Sequence, residues 1–132
     1  MGQPLAKQGD QVTATDTHIV MVPAPSGAVP TPLPHPFTGI INGQLSGDVK
    51  VMGKAAATVD STADNTPPHI PTPPGTSFQN PPKNKATIKS GSSTVNINGK
   101  KAARNGDTAE TCNDPTDASI GKVIAVGTVL VG

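Results

Sequence analysis

Proline and glycine interrupt this chain so often that no stretch shows apolar residues at helical spacing for three turns. Fifteen prolines and fourteen glycines are spread over 132 residues. Proline removes a backbone donor and fixes φ, and no apolar face recurs at helical spacing between the breaks. Short strands joined by turns are what remains. The side chains add a second limit. Two phenylalanines are the whole aromatic content, and much of the 33% hydrophobic fraction is Ala and Val. Such a chain cannot build a large core, which argues against an enzyme with a deep apolar pocket. Folding needs help from a metal, an oligomer partner or a tightly paired sheet.

Charge and cysteine narrow the classes further. Ten basic residues against nine acidic ones leave a formal charge of +1, too little for the basic face a nucleic-acid partner requires. The single cysteine, Cys112, cannot close an intrachain disulfide, so the fold does not depend on an oxidising compartment. The N-terminal MGQPLAKQGD carries no apolar signal-peptide region. The longest apolar run, VIAVGTVLVG, is about half the ~20 residues of a membrane helix. The expectation is a protein made in the cytoplasm without a signal peptide.

Turn chemistry marks the strands. Residues 94–97 alternate, with Val95 and Ile97 on one face, and Asn98-Gly99 is a strong two-residue hairpin turn. Residues 101–104 return as a partner. Adding 86–89 predicts a three-strand meander over 86–104. The same pattern is read in 39–41, in 48–51, in Met52-Gly53 and in 55–59. The tail, 119–131, reads as a final hairpin or a pair of edge strands. Between these lie two proline-rich stretches, 23–37 with six prolines and 67–82 with seven. Each holds one histidine, and both are expected to be stiff loops that present a ligand. Linker or polyproline II ligand is the alternative.

The segments repeat. VKVMGKAAATVD (49–60) aligns with VNINGKKAARNGD (95–107) if one residue is inserted in the second copy. LAKQGD (5–10) is a shortened third copy, and Asp10, Asp60 and Asp107 close the three. An all-β body with pseudo-threefold construction is expected.

His18, His35, His69 and Cys112 are all the imidazoles and thiols of the chain. Four such donors suit a closed tetrahedral zinc site, which leaves no open position for water and is therefore structural. His18, His69 and Cys112 each follow the Asp that ends a repeat, and His35 comes from the first proline-rich stretch. A pseudo-threefold body would bring these to one end. Iron would accept the same donors. Two alternatives stand beside this reading. One is a small hydrolytic enzyme holding a zinc-bound water on the three histidines, with Glu110 or Asp114 as base. The other is a largely disordered proline-rich adaptor or effector.

GKKAARNGD (99–107) resembles the motif of the Pro-Ala-Ala-Arg (PAAR) repeat proteins, and GKAAATVD (53–60) and LAKQGD are weaker echoes. Lys101 stands where the motif has its Pro, and Thr58 where it has its Arg. The resemblance covers the chain as one domain, 1–132, with no effector extension. It implies a small cone of short antiparallel hairpins, pinned near its tip by zinc on His18, His35, His69 and Cys112. It also implies a role as the non-enzymatic spike tip of contractile injection systems: type VI secretion, extracellular injection particles and contractile phage tails. The partners it implies are a trimeric spike of the valine–glycine-repeat (VgrG) kind and, transiently, a target membrane, with one tip monomer per trimer. Delivery is then outside the cell or into the target. For the docking base the apolar tail is the candidate, through Val123, Ile124, Val126, Val129 and Val131; the other reading has these residues fill the cone's interior.

Overall fold

Asp10, Ser61 and Asp107 each close a turn and begin a strand. In the computed structural model, which describes residues 2–132, the three turns are built alike. Their main-chain bonds run from Asp10 to Lys7, Ser61 to Thr58 and Asp107 to Arg104 at 3.0–3.1 Å. The closing side chain then accepts the first residue's N–H: Asp10 from Lys7, Ser61 from Thr58 and Asp107 from Arg104. The third position has φ of +92° at Gly9, +80° at Asp60 and +89° at Gly106, as a type II turn requires.

Before each turn sits one alanine of a closed ring. Ala6 donates to Ala103, Ala103 to Ala57 and Ala57 to Ala6, at 2.9, 3.1 and 3.0 Å. All three are fully buried. A larger side chain at any of the three would have to displace buried neighbours.

Thirteen strands surround this ring among the described residues: β1 (Gln3–Pro4), β2 (Gln11–Val22), β3 (Val29–Gly43), β4 (Lys50–Val51), β5 (Lys54–Ala55), β6 (Thr62–Asn65), β7 (Ser77–Phe78), β8 (Lys85–Ile88), β9 (Asn96–Ile97), β10 (Lys100–Lys101), β11 (Thr108–Thr111), β12 (Ala118–Ile124) and β13 (Leu130–Val131). Above the ring, three antiparallel hairpins, β2–β3, β6–β8 and β11–β12, close on one another in the order β12-β11-β8-β6-β3-β2 and back to β12. Below it, three two-stranded ribbons form: β4–β5, β9–β10 and β1–β13. Met52-Gly53 and Asn98-Gly99 turn the first two with φ > 0 at both positions. The two ends of the chain form the third ribbon, so the weak N-terminal copy is completed by the C-terminal strand.

Two small cores follow. Val51, Ile97 and Val131 pack with Leu5, Ala56 and Ala102 below the ring. Ile41, Ile88 and Val123 occupy equivalent places above it, each pairing with a turn, and pack with Val12, Phe37 and Ala63. The fold is all-β, a closed antiparallel cone of hairpins. No helix among the described residues is long and apolar enough to cross a membrane.

Four sequence expectations change. The repeats need no insertion: Val49, Ala57 and Ser61 align with Val95, Ala103 and Asp107 at one constant spacing, so Ser61, not Asp60, is the equivalent of Asp107. The 86–104 meander does not form, because β8 pairs with β6 and β11 while β9–β10 lies below the ring. Residues 29–37 are strand rather than loop, paired to β2 residue by residue. Pro30, Pro32, Pro34 and Pro36 recur at every second position, so all the missing N–H groups fall on one side of β3, as an edge strand permits. The tail is not one hairpin. It splits between β12 in the closed sheet and β13 in the lower ribbon.

Candidate metal centre

The strands that leave the three turns carry their ends to one place. Inward residues alternate along β2 as Val12, Asp16, His18 and Val20, all buried. His35 faces inward from β3, opposite Asp16 in register. His69 follows the end of β6, and Cys112 follows the end of β11.

The four sequence-derived candidates converge at the upper end of the cone. The His18 and His35 ring centroids are 5.4 Å apart, His18 and His69 4.9 Å, and His35 and His69 5.6 Å. His18 Nε2 lies 3.6 Å from Cys112 Sγ. Nitrogen and sulfur ligands of one tetrahedral metal ion stand roughly 3.5 Å apart, close to this spacing. Both phenylalanines wall the cluster. Phe78 packs on His18 and His35, and Phe37 packs on His69.

Asp16 joins this cluster and was not singled out in the sequence. One donor atom each from Asp16, His18, His69 and Cys112 lies within 4.8 Å of the others, so this buried group could hold a metal ion. Asp16 Oδ2 is 2.9 Å from His69 Nε2 and accepts from Cys112 Sγ at 3.6 Å, while Oδ1 accepts from Thr111 Oγ1. The signal available was its place two residues before His18, which puts both on one strand face. His35 is outside that foursome. Its Nδ1 lies 2.9 Å from the Leu33 carbonyl, and its Nε2 accepts the Thr72 N–H at 3.1 Å.

The second proline-rich stretch folds over the cluster and is tied down there. Asn84 Oδ1 accepts the His69 N–H, and Thr72 Oγ1 donates to Pro34. Thr76 and Gln79 donate to Met21 and Ile19 of β2. A Cβ on Gly75 would sit 2.4 Å from Val20 Cγ2, so only glycine lets the loop lie this close. On the other side a polar cavity of about 250 Å³, lined by His18, Cys112, Asp114 and Asp117, leads in from solvent.

Burial sets the protonation states. It holds the His18 imidazole below its ordinary pKa of 6.5, helped by neighbouring His69 and opposed by Asp114 and Asp16. Burial lowers His35 as well, against the Leu33 carbonyl. Both rings stay neutral near pH 7, as ligation demands. Burial also pushes the Cys112 thiol above 9.0, while the main-chain groups of Asn84 and Lys85 favour its thiolate. His18 Nδ1 is the one fully buried side-chain nitrogen or oxygen among the described residues without a hydrogen-bond partner.

The tail candidates separate. Val123 is in the upper core and Val131 in the lower one, whereas Ile124, Val126 and Val129 are exposed.

The PAAR motif family matches the chain over residues 31–115, more than half of its length. No curated protein matches it.

Proposed function

The chain belongs to the PAAR motif family, and from that premise we propose that it is a spike tip of a contractile injection system, seated on the blunt end of a trimeric β-helical VgrG-type spike. One observation carries the docking part of this reading. The lower end of the cone repeats three times, as β4–β5, β9–β10 and β1–β13, and so offers each chain of a trimer the same ribbon. Exposed Met52, Leu130 and Val129 lie on or beside two of these ribbons and supply apolar contact. Unpaired strand edges there suit stacking on a β-helix. The tip works as a structural part, with no catalysis of its own, and meets the target membrane transiently.

The upper end is read as a structural zinc site on His18, His35, His69 and Cys112. The donor chemistry fits: three imidazoles and one thiol, packed beside two phenylalanines, are the set a closed zinc site prefers. Bound zinc would cross-link β2, β3 and the ends of β6 and β11, so that the hairpins could not fray singly. In a chain with so little core this adds folding free energy, on the order of 10 kcal/mol in small zinc peptides.

The experiment is to mix the protein with its spike trimer and measure the mass of the complex in solution. One chain per trimer is expected. No complex, or three chains per trimer, contradicts the docking reading.

A further inference from the structure

A histidine that holds a metal through one nitrogen presents the other to an acceptor, which fixes the tautomer and aims the ring. Here every histidine of the cluster has such an acceptor, each from a different place. Leu33 O stands 2.9 Å from His35 Nδ1. Asp16 Oδ2 stands 2.9 Å from His69 Nε2. Asp114 Oδ2 stands 3.5 Å from His18 Nδ1, the buried nitrogen that has no hydrogen bond.

Both carboxylates are themselves fixed from behind. Asp114 Oδ2 accepts the Ile19 N–H at 2.9 Å, and the Asp114 N–H donates to Thr17 O at 2.8 Å. Asn113 Oδ1 accepts the Thr17 N–H beside it. Residues 113–114 thus run as a brace along β2, straddling His18. Asp16 Oδ1 is taken by Thr111 Oγ1 and Asn113 Nδ2, while Oδ2 faces His69 Nε2 at 2.9 Å and the Cys112 thiol at 3.6 Å. With Oδ1 held there and Oδ2 against His69 Nε2, the Asp16 carboxylate is placed to orient that ring.

We propose that Asp16 and Asp114 are positioning residues that aim His69 and His18 at the metal, and that Asp16 is not itself a ligand. The inference rests on the zinc reading above. It assigns His18 Nε2, His35 Nε2 and His69 Nδ1 as the nitrogen donors. His35 then has to give up the Thr72 N–H when metal binds, so that loop tightens or shifts on loading.

Cobalt(II) titration, with zinc competition for affinity, tests this on the full chain. Wild type should take one equivalent with a tetrahedral visible spectrum and thiolate-to-metal charge transfer. Asp114→Asn and Asp16→Asn should keep that spectrum and lose affinity by about 10- to 100-fold. Their melting in a strong chelator should stay as in wild type, because Asn keeps a carbonyl for Ile19 N–H or Thr111. His35→Ala should lose the tetrahedral spectrum. The proposal is overturned if Asp16→Asn loses that spectrum while His35→Ala retains it, or if Asp114→Asn binds as tightly as wild type. Should Asp16→Asn fail to fold, Asp114→Asn decides. A wild-type protein that binds neither ion instead overturns the zinc reading itself.

Discussion

The amide of Ala57 donates to the carbonyl of Ala6 at 3.0 Å, and the two residues belong to different thirds of the chain. With Ala103 they make a ring of three bonds around the axis, fully buried. A larger side chain has no direction in which to move. Ala57→Leu should therefore destabilise the protein by about 1–3 kcal/mol or more, read as a lower denaturation midpoint at unchanged slope. A neutral effect would mean that the ring has slack.

Asp60 holds φ at +80° where Gly9 and Gly106 stand in the other two turns. A non-glycine residue there is strained by roughly 1–3 kcal/mol, and the loss of unfolded-chain restriction takes back about half to one. Its exposed ion pair with Lys100, 3.6 Å long, contributes little. Asp60→Gly should raise the melting temperature. A fall would show that the side chain matters more than the turn.

These turns also show what the sequence could and could not convey. The short strands beside the hairpin turns at 52–53 and 98–99, those turns and the threefold plan were legible, because glycine and asparagine mark backbone geometry directly, whereas β2, β6 and β11 carry no such marks and were not read. The alignment was not legible. Asp60 mimics the closing Asp by type, yet sits where the backbone wants glycine, and the hydrogen bonds between Thr58 and Ser61 reveal the register. The convergence of His18, His69 and Cys112 was legible from their places after the repeats, whereas His35 reaches them from β3, in a stretch read as loop. Asp16 and Asp114 were not legible as partners of His69 and His18, because those contacts join residues 53 and 96 positions apart. The long β3 was hidden by its prolines, which read as loop until their alternate spacing is set against an edge strand.

Cys112 is buried and held as a thiol, while His18 and His35 are kept neutral. Metal binding through Cys112 must then expel the proton of its thiol. Zinc added to metal-free protein at pH 7 should acidify a weak buffer, and affinity should fall as pH drops and protons compete for the donors. Cys112→Ser should remove most of that release. Release that is unchanged in Cys112→Ser would place the proton elsewhere.

Leu130 and Met52 are more than half exposed beside the lower ribbons, and neither belongs to a core cluster. Leu130→Asp and Met52→Asp should leave the stability to unfolding within about 0.5 kcal/mol of wild type, as surface changes do. They should nevertheless weaken capture by the spike trimer at least tenfold. Undiminished binding would move the docking face away from this end.

The proposed metal pins the upper end of a cone with little core. Metal content by mass spectrometry on untagged protein, followed by melting with and without a strong chelator, tests it most directly. One zinc per chain, lost together with most of the thermal stability, is the predicted result. A metal-free protein that melts cooperatively, at a temperature the chelator does not change, would contradict it.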